Sequence, residues 1–573
     1  MSTASIASGD SMNAGPRQGS GIGGLTVIAI PLVLVAICFA AKFGYITIPP
    51  GPRVGLIFAL LMAMMLTGMP ISIALGLSVL TFLFTLTAVP IDSVALKLFT
   101  GIEKFEIMAI PFFILAGNFL THGGVAKRMI NFAVSLIGHW HGGLALAAIV
   151  ACAMFALVCG SSVATVVAIG SIILPEMVRA GYPMRFGAGV ITVAGSLGIL
   201  MLPSIPKVIY AISTNTSIGA LFVAGVLPGS LLTIMLCAVT WWMAKKNGYP
   251  RVPTIGGRSS GAATVSALFG LWVSFLVGFL PLTIGFILGV VSDPVTTVVS
   301  LFTGDIKTYL LTTHRYVLAY PVVFLLACAV WLVFAAQIFP HRLRLGFLKN
   351  EGEKVWEAFW ASIWGLMLVV IIIGGIYSGV FTATEAAAVS AIYAYIVSVY
   401  VYADMGNKDV PRVLVQSANM SAMLLYIITN AVLFSFVLTN ENIPHALADW
   451  MLSMNLGPWG FLLVVNLLLL VAGNFMEPSS IILIMAPILF PAAMRLGIDP
   501  VHFGILIDVN MEVGLCHPPV GLNLYVASGI AGLGITEMTK AVMPWLLTLL
   551  VFLVIVTYWP WLTLVVPQML GMM

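Results

Sequence analysis

Apolar residues in this chain run together instead of alternating with polar ones. Continuous apolar blocks cover 25–48, 53–88, 92–124, 142–180, 185–220, 221–244, 263–291 and 316–337, and similar runs fill most of 355–565. A bilayer core about 30 Å thick takes about 20 apolar residues per helical span. Only helices and closed barrels satisfy their backbone in lipid, and barrel strands would alternate outward-apolar with inward-polar positions. The pattern therefore predicts an all-α polytopic membrane protein. Composition agrees: 61% of the residues are hydrophobic and 8% charged, against about 25% charged in a soluble domain.

Polar and basic stretches divide the chain. Residues 1–24 are rich in Ser, Gly and Ala and read as a disordered tail. Residues 25–48 follow as an extra transmembrane helix, too long an apolar run for a cleaved leader. Lys245, Lys246, Arg251 and Arg258 make one basic stretch, and Arg342, Arg344, Lys349 and Lys354 a second. Short basic loops stay in the cytoplasm, so 259–340 reads as an inserted membrane hairpin between two halves, 53–250 and 355–565. The net charge of +4 is accounted for by such loops and does not suggest nucleic acid. Six cysteines are scattered through apolar segments with no CxxC pair, so disulfide and zinc readings are weak and packing is their expected role.

The halves resemble each other. TGMPISIALGLSVL from Thr67 answers SGVFTATEAAAVSAIY from Ser378; CGSSVATVVAIGSIILP answers EPSSIILIMAPILFP; YPMRFG answers DPVHFG; GILMLPS answers GLCHPPVG. The four landmarks lie 311, 318, 317 and 316 residues apart. The arm after Gly123 carries Lys127 and Arg128, whereas its counterpart carries Glu441 and Asp449. Arms of opposite charge suit opposite membrane faces, which is the plan of an inverted repeat.

Each half contains two breaks. One is a small polar cluster inside an apolar stretch, Gly160-Ser161-Ser162 and Pro478-Ser479-Ser480; the simplest geometry is a re-entrant hairpin with its tip near the midplane. The other is Gly- and Pro-rich and interrupts the next helix, from Ala194 to Pro206 and from Glu512 to Gly521. Pro removes a donor and clashes with the preceding turn, and Gly lets the chain unwind. Freed backbone is tolerated at membrane depth only where it lines protein or water. It offers carbonyls to a cation and a helix N-terminus to an anion. Ser, Gly and Pro also serve close helix packing, but paired breaks in the same order in both halves point to a pseudo-symmetric site with hard oxygen ligands suited to Na⁺.

AIPFFILAGNFLTHGG, GSSVATVVAIGSI, GSLGILMLPSIPKVIYA, SIGALFVAGVLPG, GGIYSGVFTATEAAAV and GLCHPPVGLNLYVASGI resemble the large membrane subunit of tripartite ATP-independent periplasmic (TRAP) transporters. The resemblance covers about 53–250 and 355–565. It implies a bacterial inner-membrane permease working as an elevator: a scaffold stays fixed while both hairpins and both broken helices carry substrate and Na⁺ across. It implies a periplasmic binding protein that delivers a small organic acid, such as a C4-dicarboxylate or another carboxylate, and a separate four-span membrane subunit. No prosthetic group is expected. The expected Na⁺ ligands are Gly160, Ser161, Ser162, Gly198, Pro203, Pro478, Ser479, Ser480, Gly514 and Pro518. The expected substrate contacts are Ser162, Ser204, Lys207, Ser480 and Asn510. The chain departs from the family pattern at Leu202, which stands where the family has the first of two prolines, at His517, and at Lys207, a position usually apolar.

Ionisable groups at membrane depth default to function, which singles out Lys207, Glu477, Asp508 and Glu512. Asp508 and Glu512, four apart, share a helix face and also suit bracing. Lys207, where the first broken helix restarts, either helps to hold an anion, or pairs with a nearby carboxylate, or snorkels. His517 suits either proton sensing or a backbone hydrogen bond, and Glu385 a structural role. Three rivals remain for function. An ATP-driven permease has no phosphate loop here to support it. A membrane enzyme would need a catalytic cluster, and the histidines show no metal-ligand spacing. A Na⁺-coupled carboxylate carrier of the same superfamily, working without a binding protein, is the alternative closest to the motifs.

Overall fold

The computed structural model describes residues 21–87, 89–100, 103–249, 348–377, 380–442, 449, 457–474, 476–518 and 521–572. The expected hairpin at 259–340, the tail up to residue 20 and most of the second arm lie outside them. Among the described residues every regular element is helical, and nine helices are long and apolar enough to cross a membrane. The extra N-terminal helix runs Gly21–Lys42, taking in the last four residues assigned to the tail: once a helix is nucleated, each further residue adds a hydrogen bond.

The chain divides into two compact units. The first comprises Met1–Glu103 and Met423–Leu447. Its helices Gly21–Lys42, Pro50–Leu66 and Ile71–Leu86 pack pairwise. The later part of the long helix Val410–Asn440 belongs here too. Asn430 donates to the carbonyl of Ser72 (3.1 Å), and a Cβ at Gly76 would come 2.8 Å from the Asn430 amide oxygen, so glycine is what lets these helices approach.

The second unit comprises Lys104–Ala422 and Ala448–Met573. The arm helix Val125–Ile137 buries Val125, Ala126, Met129, Ile130, Ala133 and Ile137. That i, i+4 stripe leaves Lys127 exposed. Thr382 caps helix Ala383–Ile396 in a reciprocal capping box with Glu385, which gives Glu385 the structural role expected of it.

Both hairpins and both broken helices are present. The first hairpin is Gly143–Cys159 followed by Ser162–Arg179. Gly160 turns the chain in the left-handed region (φ +63°), and Ser161 caps the second helix by accepting from the Ala164 amide (3.4 Å). The first broken helix is Met184–Ala194, Leu197–Leu200 and Ile205–Thr214; the Leu202–Pro203 peptide in its gap is cis. Pro206 lies in the first turn of the restarted helix, where no intrahelical donor is lost. The second hairpin is Pro458–Gly473 and Pro478–Arg495. The second broken helix is Pro500–Cys516 and Leu522–Ala531.

The packing of these pieces is reciprocal. Ile205–Thr214 packs on Pro478–Arg495, and its counterpart Leu522–Ala531 packs on Ser162–Arg179. Likewise Gly143–Cys159 packs on Met184–Ala194, and Pro458–Gly473 on Pro500–Cys516. Such an exchange of partners is what a pseudo-twofold between the repeats requires.

Candidate functional site: hairpin tips against broken helices

Each tip is seated on the break of its own half. In the first half, a Cβ at Gly160 would run into the Pro203 carbonyl oxygen, and one at Gly198 would lie 2.6 Å from the Ser161 carbonyl oxygen. Backbone therefore meets backbone with no side chain between, and five expected ion ligands (Gly160, Ser161, Ser162, Gly198 and Pro203) come together. The carbonyls of Met201, Leu202 and Pro203 accept no hydrogen bond among the described residues. The Ser204 hydroxyl is buried and has no hydrogen-bond partner among the described residues. The Ser161 carbonyl is already used, accepting from the amide (3.1 Å) and hydroxyl (2.8 Å) of Thr165.

The second half builds the same seat with different residues. A Cβ at Gly514 would lie 3.0 Å from Gly473 Cα, and His517 Nδ1 lies 3.0 Å from the Asn474 side-chain oxygen. The turn of this hairpin falls before Glu477, the N-cap of the following helix. Pro478, Ser479 and Ser480 are thus its first turn and not the tip that their resemblance to Gly-Ser-Ser suggests. The reason is local: proline at the first helical position starts a helix, its missing N–H being one that helix has no use for. Ser480 Oγ donates to Glu477 Oε1 (3.2 Å). The residues that meet Gly514 and His517 are Gly473 and Asn474, neither of which the motifs single out. His517 bonds a side chain and not backbone. Pro518 is half-buried at the start of this break.

The expected substrate contacts are all buried and dispersed. Ser162 accepts from Asn523 Nδ2 (2.6 Å), which joins the first tip to the helix after the second break. Asn510 donates to the carbonyl (3.1 Å) and side-chain oxygen (3.0 Å) of Asn466, and Asn466 donates to Thr557 (2.8 Å). Its amide NH₂ is thereby committed to an interhelical network away from the breaks. Lys207 lies 0% exposed. Its Nζ donates to the Leu200 carbonyl, sits 3.4 Å from the Ile199 carbonyl and 3.8 Å from Asp508 Oδ2. Glu512 Oε1 accepts from the Leu200 amide (3.1 Å). Of the roles open to Lys207, the geometry has it paired with a carboxylate. Asp508 and Glu512 do share a face, and that face braces the first break.

Reciprocity extends to single contacts. Position 523 is 316 residues after 207, and 508 is 316 after 192. Lys207 approaches Asp508, and Asn523 Nδ2 lies 3.4 Å from the Thr192 carbonyl. Asn523 carried no signal on its own; its sequence distance from Lys207 is the clue that could have found it.

Comparison with known proteins bears on this architecture as a whole. The chain matches the family described as "Tripartite ATP-independent periplasmic transporter, DctM component" over residues 58–316 and 283–562. It is 55% identical over 531 residues to the C4-dicarboxylate TRAP transporter large permease protein DctM of Rhodobacter capsulatus, covering 90% of this chain and 99% of that one. It is 43% identical to the protein of the same description from Pseudomonas aeruginosa, over 87% and 95% of the two chains. It is 30% identical to the sialic acid TRAP transporter large permease protein SiaM of Vibrio cholerae, over 90% and 98%. Among solved structures, the Alcanivorax borkumensis YdaH transporter aligns with 94% of this chain and 98% of its own at 14% identity and a TM-score of 0.49. With the family matched over most of its length and a many-helix apolar fold, this chain belongs to the DctM family of TRAP transporter large permeases, multi-pass proteins of the inner membrane.

Proposed function

We propose that this chain is the permease of a Na⁺-coupled, binding-protein-dependent system that imports C4-dicarboxylates, its hairpins and broken helices moving together as an elevator. The observation that carries the reading is the seat in the first half. There the Pro203 carbonyl lies against a tip packed backbone to backbone, and among the described residues the carbonyls of Met201, Leu202 and Pro203 and the Ser204 hydroxyl have no hydrogen-bond partner. Hard cations prefer oxygen ligands of this kind, and open backbone at membrane depth is kept where it lines protein or water. The relatives described as C4-dicarboxylate permeases support the substrate class. Partners follow from the family: a separate small membrane subunit and a periplasmic protein that captures the acid. Gly160, Ser161, Ser162, Gly198 and Pro203 then serve the ion. Lys207 and Asn510 act in support, not as substrate contacts.

Uptake of labelled succinate into proteoliposomes holding the permease and its small subunit tests this, with binding protein and an inward Na⁺ gradient supplied. Uptake should require all three and no ATP. Equal uptake with K⁺ replacing Na⁺ on both sides, or without binding protein, would overturn it; the second result would favour a carrier that works alone.

A further inference from the structure

We propose that Lys207 is a resident cation: its ammonium fills a cage of carbonyl and carboxylate oxygens that takes a monovalent metal ion when the lysine side chain is removed. The cage is built by three elements. The C-terminal turn of Leu197–Leu200 supplies the carbonyls of Ile199 and Leu200. The helix Pro500–Cys516 supplies Asp508, 3.8 Å from the ammonium, and Glu512, which holds the Leu200 amide; both are 0% exposed. Gly225, at the start of the helix Val226–Lys246, supplies space, since a Cβ there would lie 2.6 Å from Lys207 Nζ.

The oxygens outnumber what an ammonium uses. Among the described residues, both oxygens of Asp508 and Oε2 of Glu512 are buried without a hydrogen-bond donor. An ammonium has three donors, and here they point to two carbonyls with Asp508 Oδ2 3.8 Å away. Two buried carboxylates and the carbonyls of Ile199 and Leu200 make an oxygen-lined pocket. In a dry interior such carboxylates keep their charge beside a positive group and otherwise take up protons.

The mirror position carries no charge, and its hydroxyls are bonded within their own helix turns, Thr192 to the Ala188 carbonyl and Ser196 to the Val193 carbonyl. Counting 316 residues on, Lys207, Leu200, Asp508 and Glu512 correspond to Asn523, Cys516, Thr192 and Ser196. There Asn523 Nδ2 reaches the Thr192 carbonyl (3.4 Å) and Cys516 Sγ (3.8 Å). One copy has an amine and two carboxylates; the other has an amide, two hydroxyls and a thiol. The charges occur as a set, as expected if the carboxylates are there for the cation and the cation for them. This goes beyond Na⁺ coupling of the wild-type carrier and does not depend on it.

The test is thermal unfolding of the full chain with its small subunit in NaCl, KCl or choline chloride at equal ionic strength. Wild type sets the baseline response to metal ion over choline. K207A should show a larger response, its folded state gaining about tenfold in population once the ion reaches ten times its Kd. K207R should behave as wild type, and so should the neutral set K207N/D508T/E512S, which copies the mirror position. If K207A does not fold in choline, rescue by Na⁺ or K⁺ is the expected result. The double variant K207A/D508N, with one carboxylate fewer, gives a second reading. A K207A response equal to wild type, or failure of metal ion to rescue both variants while the neutral set folds, overturns the proposal. A wild type indifferent to Na⁺ would count against Na⁺ coupling alone.

Discussion

At Gly160 two demands meet on one residue. Its backbone is left-handed, and the Pro203 carbonyl lies where a side chain would be. An L-residue in that conformation costs about 1–2 kcal/mol before any clash, and the clash would lift the tip off the break. Gly160→Ala is therefore expected to lower the Tm and also to raise the Na⁺ concentration for half-maximal uptake, because the added methyl displaces the Pro203 carbonyl. Gly529 is the control. It lies inside the helix Leu522–Ala531 with nothing within 4 Å of an added Cβ, and alanine there should stabilise by about 0.5–1 kcal/mol. Uptake assays and thermal unfolding on both variants check the contrast. A Gly160→Ala carrier with an unchanged Na⁺ requirement would separate the tip from the ion site. That a glycine stood at a turn was legible from Cys-Gly-Ser-Ser in an apolar run. That its missing side chain makes room for a carbonyl 43 residues on was not, because the contact depends on how two helices cross.

Elements were legible where local chemistry decides them and obscure where distant partners do. Gly at one end and Pro at the other marked both broken helices, and the offsets of 316 to 318 residues marked both hairpins. Pro478-Ser479-Ser480 matches Gly160-Ser161-Ser162 in sequence yet lies just past the turn, because proline at the first helical position starts a helix. Asn523 escaped notice because its partners, Ser162 and Thr192, lie more than 300 residues away. Yet this amide ties the first hairpin to the second broken helix. Asn523→Leu should remove the donor to the Ser162 hydroxyl and leave the Thr192 carbonyl only the weaker Cys516 thiol (3.5 Å), at about 1–3 kcal/mol. Ser162→Ala added to it should be milder than the sum of the two, since apolar groups on both sides of a lost bond leave less unsatisfied. A double-mutant cycle in thermal or denaturant unfolding is expected to give a coupling of about 0.5–3 kcal/mol. Simple additivity would mean the bond does not hold the two elements together.

Over the whole molecule, the exchange of partners between the repeats establishes a twofold relation but not the direction of its axis. Parallel repeats related by an axis along the membrane normal would exchange partners in the same way as inverted repeats related by an axis in the membrane plane. Charge distinguishes them. The first arm exposes Lys127, and Arg128 beside it pairs with Asp404 and stacks on Tyr402 (3.8 Å to the ring centroid). The second arm carries Asp449, exposed and paired with Arg495 at the open end of the second hairpin (2.7 Å). Lys and Arg near span ends remain cytoplasmic. Inverted repeats therefore put Lys127 on the cytoplasmic side and Asp449 on the periplasmic side, whereas parallel repeats put both on one side. In a chain stripped of its six cysteines, Lys127→Cys should react with a membrane-impermeant thiol reagent only in inside-out vesicles, and Asp449→Cys only in intact cells. Each substituted residue is exposed, so its accessibility depends on sidedness and not on burial. Labelling of both from the same side would leave the paired breaks and the twofold standing but remove the inversion. An elevator built on this chain would then need a different account of how one site meets both faces.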